Sequence, residues 1–166
     1  MDRLFLSIVA VASAAGVAGV SSRSVSRSAS IEGVWRTAAV TITGPGARTI
    51  DKLQPSLQII TPKHYSRVEL HAEGPRPAIL DASKATADEL RQVWGPVVAE
   101  AGSHETSRGN TLTMRPVVAK NPASMTPGTF TTYSYRLVGD TLWLTPQADQ
   151  RGPVTNPPTI KLTRVE

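Results

Sequence analysis

The chain of 166 residues has no cysteine, three histidines and few aromatic residues: three Trp, three Tyr and two Phe. Without cysteine there is no disulfide, no thiol nucleophile and no thiolate-held metal. Stability must then come from a buried core, which a domain of this size can build. Gly-x-Ser-x-Gly and His-Glu-x-x-His are also missing, so the common hydrolase signals are absent. Basic runs of about 5–8 residues, the usual mark of a nucleic-acid arm, are lacking too. No cofactor motif is legible.

Only one long apolar run is present. "MDRLFLSIVAVASAAGVAGV" (1–20) places Arg3 before apolar and small residues, with small-residue cleavage options near Ala15 or Ala18. This is the layout of a secretory signal peptide. A membrane anchor is the alternative, since a span needs ~20 apolar residues, but Ala, Gly and Ser make the run weakly apolar. "SSRSVSRSAS" (21–30) has too little apolar content to bury anything and reads as a disordered spacer. Residues 31–166 make one domain's worth of chain.

The whole chain carries 18 Lys+Arg against 13 Asp+Glu. Leaving out Arg3, Arg23, Arg27 and Asp2 gives 15 against 12, a net charge of +3. The basic pI near 10.0 thus overstates the charge of the mature domain, and nucleic-acid binding loses its main support. The expected destination is the periplasm or the medium, with no membrane attachment once the signal is removed. No oligomeric state follows from the sequence.

Short β-prone runs separated by Gly, Pro, Asn and Asp fill the mature region, the pattern of an all-β fold. Eight candidate strands are legible: "GVWRTAAVTIT", "SLQII", "HYSRVELH", "SHETSRG", "TLTMRPVVA", "GTFTTYSYRLV", "TLWLT" and "TIKLTRVE". "ATADELRQVWGPVVAEAG" breaks the pattern. Thr86 and Glu89 have capping-box spacing, and Leu90, Val93, Trp94, Val97, Val98 and Ala101 fall on one helical face. Pro96 is expected to bend or split that helix.

In order and spacing, "GVWR", "KHYSRVEL", "GPRPAI", "VWGPVVAEAGSHETSRGNTLTMRPVVAKNP", "YSYRLVGDTLWLT" and "KLTRVE" resemble the bacterial secreted proteins with a lipocalin-like domain. The resemblance covers nearly all of the mature chain. It implies an up-and-down antiparallel barrel of about eight strands, able to hold one small ligand, here with an amphipathic helix inserted mid-chain. It also implies that Trp35, just after Gly33, packs at the closed end against Arg164 of the last strand. Ile160, Leu162 and Arg164 do share one strand face. With Trp35 inside, strict alternation also turns Thr37, Ala39 and Thr41 inward. Either these small residues line a cavity, or a bulge switches the faces partway.

Candidate binding residues are Tyr65, Trp94, Arg115, Tyr133 and Tyr135. Phenols would fix a ligand's polar end or serve as packing. Trp94 would plug or line the cavity, while Trp143 would point outward and pack under the helix. Arg115 and Lys120 at the barrel mouth would draw an anionic head group, unless they are solvated strand-end charges. Arg76 is read in the same two ways. His64, Glu69 and His71 suggest a metal, but only Glu69 and His71 share a face, and zinc needs three or four ligands. The expected function is an exported barrel that binds a small, mainly apolar molecule, with an anionic end as one variant. The alternatives are a barrel isomerase, cyclase or hydratase using Glu69, His71, Tyr133 and Arg115, and a non-catalytic envelope interaction module.

Overall fold

The structure is a computed structural model that describes residues 30–72 and 74–166. The expected signal peptide and nearly all of the spacer lie outside the described residues. Among the described residues, ten strands form in chain order: β1 (Gly33–Ile42), β2 (Arg48–Ile50), β3 (Leu57–Ile60), β4 (His64–Leu70), β5 (Val97–Ser107), β6 (Thr111–Ala119), β7 (Thr131–Val138), β8 (Thr141–Asp149), β9 (Gly152–Pro153) and β10 (Thr159–Arg164). One α-helix, α1 (Ala87–Trp94), precedes β5, and a short 3-10 helix (Pro122–Met125) follows β6.

Eight of these strands close into an antiparallel barrel in the order β10-β1-β3-β4-β5-β6-β7-β8, with β8 pairing back onto β10. β2 and β9 are short additions on β1 and β8. Closure removes the exposed edges that an open sheet of this length would present.

Alternation sorts the side chains. Trp35, Ile60, Leu112, Met114, Leu142, Leu144 and Leu162 point inward and are fully buried. At roughly 1.5–3 kcal/mol for each large apolar side chain, this floor is the main stabilising element. Leu57, Ile59 and Val68 alternate with inward neighbours and stay exposed on the outer wall.

A bulge settles the first strand. The register with β10 slips between Thr37 and Ala39, so the extra residue, Ala38, switches the faces. Trp35 and Thr37 point in before it, and Val40 and Ile42 reach the interior after it, where they line a cavity.

The helix is shorter than its apolar spacing suggests. Its capping box forms as expected: Thr86 N–H donates to Glu89 Oε2 at 2.8 Å, and Glu89 N–H to Thr86 Oγ1 at 3.2 Å. It stops at Trp94, and Val97, Val98 and Ala101 belong to β5 instead. Pro96 lacks the N–H that a helix would use. The β-branched pair after it gains backbone partners on β4, Val97 opposite Leu70 and Val98 opposite Glu69. The helix buries no residue. Arg76 Nη1 holds the helix carbonyl Val93 O at 2.9 Å, and Lys120 Nζ holds the helix carbonyl Trp94 O and, beyond the helix, Gly95 O at 3.3 Å and Val97 O at 3.0 Å. Trp143 does not lie under the helix. Its outward ring is covered by Arg136, the cross-strand neighbour, whose guanidinium carbon stands 3.5 Å from the ring centroid.

Candidate functional site

At the closed end, Trp35 and Arg164 are register partners, and the Arg164 guanidinium carbon lies 4.1 Å from the indole centroid. Arg164 Nη1 donates to Glu32 O at 2.5 Å and Nη2 to Ser30 O at 2.8 Å, while Trp35 Nε1 donates to Ile31 O at 2.8 Å. Gly33 sits at φ +140°, where a Cβ would collide with Arg164 Nη1 and stand 2.7 Å from Glu166 O. The glycine is there because the closing arginine occupies the space of a side chain. Gly33, Trp35 and Arg164 therefore form one structural unit.

Above the apolar floor, the barrel carries a layer of polar side chains. Tyr65, Arg67 and Glu69 alternate inward along β4, and Glu100 of β5 stands opposite Arg67. The Tyr65 hydroxyl donates to Glu100 Oε1 at 3.0 Å. Arg67 donates to the same oxygen from Nε at 3.1 Å, with Nη2 at 3.0 Å. The Arg67 and Glu100 side chains are only 15% and 12% exposed. A charge this enclosed persists only with a partner. Burial alone would lower the Arg67 pKa, but Tyr133, Glu69, Glu100 and Tyr65 around it outweigh this and hold the guanidinium above its usual range. Burial, reinforced by Glu100, pushes the Tyr65 phenol far above its ordinary value.

Glu69 forms the upper edge of this layer. Burial would raise its pKa, but the hydrogen bond from His71 and the charge of Arg67 prevail and hold the carboxyl below the ordinary value. His71 Nε2 lies 3.1 Å from Glu69 Oε2. An ionised carboxylate can only accept, so Nε2 carries the proton and donates. In the neutral imidazole, Nδ1 is then an acceptor.

Glu69 and His71 open onto a cavity of about 260 Å³, walled by Val40, Ile42, Leu53, Pro158 and Ile160, with Thr37 and Ser56 at its side. Its origin is topological. β1 pairs with β3 only from Gly33 to Trp35 and further on with β2, so the wall parts near the rim. There Thr37 N–H, past the end of the β3 ladder, donates to Ser56 Oγ at 2.7 Å. A neighbouring cavity of about 280 Å³ shares Val40, Leu53 and His71 and reaches the exposed Arg48.

The structure brings Tyr65 and Tyr133 into the buried interior. Tyr135 is half-buried against the core. Trp94 is 56% exposed outside and lines neither cavity. Arg115 is on the outer surface, 2.9 Å from Glu105, and Lys120 holds the carbonyls of Trp94, Gly95 and Val97. Neither is at the cavity. Among the described residues, no three His, Asp or Glu side chains come together as a metal would require.

Sequence reasoning missed Arg67, Glu100 and Gln58, whose side chain is also buried in the interior. Strand alternation could have found Arg67, two residues from Tyr65 and from Glu69. The helical reading of 97–101 hid Glu100. No known protein-family model matches the chain, and no curated protein does.

Proposed function

We propose that this chain is an exported barrel of the lipocalin-like kind that binds a small, mainly apolar molecule at the open end. The observation that carries the reading is the cavity of about 260 Å³, whose apolar walls are Val40, Ile42, Leu53, Pro158 and Ile160 and whose polar groups are the Glu69–His71 pair with Thr37, Gln54 and Ser56. Mostly apolar walls with a few convergent polar groups are the usual make-up of a small-molecule site. The closed barrel and the Trp35–Arg164 closure support the lipocalin-like assignment. Export and a periplasmic or extracellular location belong to the same proposal and rest on the layout of residues 1–20.

Titration with N-phenyl-1-naphthylamine, a neutral dye that brightens in apolar sites, tests the binding. Saturable brightening is expected in the wild type and a loss of at least about tenfold in affinity in Val40→Trp, which fills the cavity. An unsaturable response, or one indifferent to Val40→Trp, rejects the site.

One observation favours a second reading, a barrel enzyme that moves a proton on an apolar substrate. Glu69 and His71 are within hydrogen-bond distance and both line the cavity, as a carboxylate-oriented imidazole base requires. Tyr133 lies deeper, beside Arg67, and Arg115 takes no part. Exchange of acidic C–H protons from small ketones, abolished by His71→Gln, would mark this activity.

A further inference from the structure

We propose that the cavity selects an apolar molecule whose polar end is a primary amine. This deepens the binding reading above and rests on it. Among the residues lining the 260 Å³ cavity, Glu69 is the one carboxylate, and it is 6% exposed. Its hydrogen bond with His71 engages one of its two oxygens. A carboxylate has about four lone-pair sites, so acceptor capacity is left for a donor inside the cavity.

His71 adds to this. In its neutral form, with the Nε2 proton directed to Glu69, the ring has an acceptor, not a donor, at Nδ1. The side chain is 64% exposed and borders both cavities. Thr37, Gln54 and Ser56 also line the cavity and can donate as well as accept, so the bias toward a donor-rich head comes from the Glu69 carboxylate. An alkylammonium supplies three N–H donors and a positive charge, and a hydroxyl supplies one donor. A carboxylate supplies none and meets a like charge.

The charges behind the cavity do not reverse this preference. Arg67 is the nearest buried cation, but it is paired with Glu100. Arg67, Glu69 and Glu100 together carry a formal charge of −1. The basic side chains expected from sequence to draw an anion are elsewhere: Arg115 with Glu105, Arg76 on Val93 O and Lys120 on Trp94 O and Val97 O. Arg48 borders only the outer, second cavity. The protein as a whole is basic, at +5. Non-specific attraction would therefore favour a carboxylate, and a preference for the amine must come from the site.

Calorimetric titration of the full chain with hexylamine, hexanol and hexanoate separates the possibilities. The expected order is hexylamine tightest, at least about tenfold over hexanol, or ~1.4 kcal/mol, with hexanoate weakest. Glu69→Gln should bring hexylamine down to the level of hexanol. His71→Gln, at an exposed position, is the second variant, and it should weaken hexylamine more than hexanol. Equal binding of the three, or hexanoate ahead of hexylamine, overturns the amine preference and leaves the apolar site standing. Failure of all three to bind overturns both readings. The wild-type comparison needs no variant, so a misfolded mutant leaves the proposal decidable.

Discussion

Arg164, in the last strand, lies over the Trp35 indole with its guanidinium carbon 4.1 Å from the ring centroid. The same guanidinium holds two backbone carbonyls of residues 30 and 32. One side chain thus closes the barrel bottom, satisfies the carbonyls of the incoming segment and fills the place of the absent Gly33 side chain.

Replacing it should be costly. Arg164→Met loses a cation–π contact of ~0.5–2 kcal/mol and leaves carbonyls unpaired at about 1–3 kcal/mol if they stay dry. A total of roughly 2–4 kcal/mol is expected in urea unfolding. Arg136→Met removes a comparable stack on Trp143, but Arg136 is solvent-exposed, so its loss should stay below about 1 kcal/mol. Equal losses for the two variants would contradict the closure role of Arg164.

The Arg67–Glu100 pair should show the asymmetry of enclosed charges. Arg67→Met leaves Glu100 without its cation, and Glu100→Gln leaves Arg67 partly uncompensated. Each is expected to cost about 3–5 kcal/mol. The double variant should cost well under the sum, because neither member of the pair is left without the other. A double-mutant cycle on the urea midpoints measures this. Additive losses would mean that the two side chains do not interact.

Stability should fall at both ends of the pH scale, for different groups. The Glu69 pKa is depressed by folding below its reference of 4.5. Its contribution is therefore complete above that reference and is lost as pH falls through the lower folded value. The Tyr65 pKa is raised far above its reference of 10.0. That contribution is complete below about pH 10 and is lost progressively as pH rises further. Thermal melts across pH should show both limbs. Glu69→Gln is expected to flatten the acid limb and Tyr65→Phe the alkaline one. An acid limb unchanged in Glu69→Gln would assign it to other carboxyls.

Much of the fold was legible because its signals are local. Each of the eight barrel strands overlaps a run of β-prone residues bounded by turn formers. The Thr86–Glu89 box marked the helix start, since a capping box involves only four neighbouring residues. The helix end was misread from Val97 onward, where apolar spacing suits either period and pairing with β4 decided the matter. The candidate site was half legible. Glu69 and His71 share a strand face by simple alternation, but their apolar walls come from β1, the loop before β3 and the start of β10.

The order of strands, the turns and the inward set on β4 are properties of the chain itself, because alternation and turn chemistry act over a few residues. Only the tertiary structure chose the bulge at Ala38, the parting of β1 from β3 and the enclosure of Arg67 against Glu100. Those depend on which strands become neighbours and in what register, a choice made by pairing across the closed sheet. A cavity is the space that such pairings leave unfilled, and no stretch of sequence encodes that space alone.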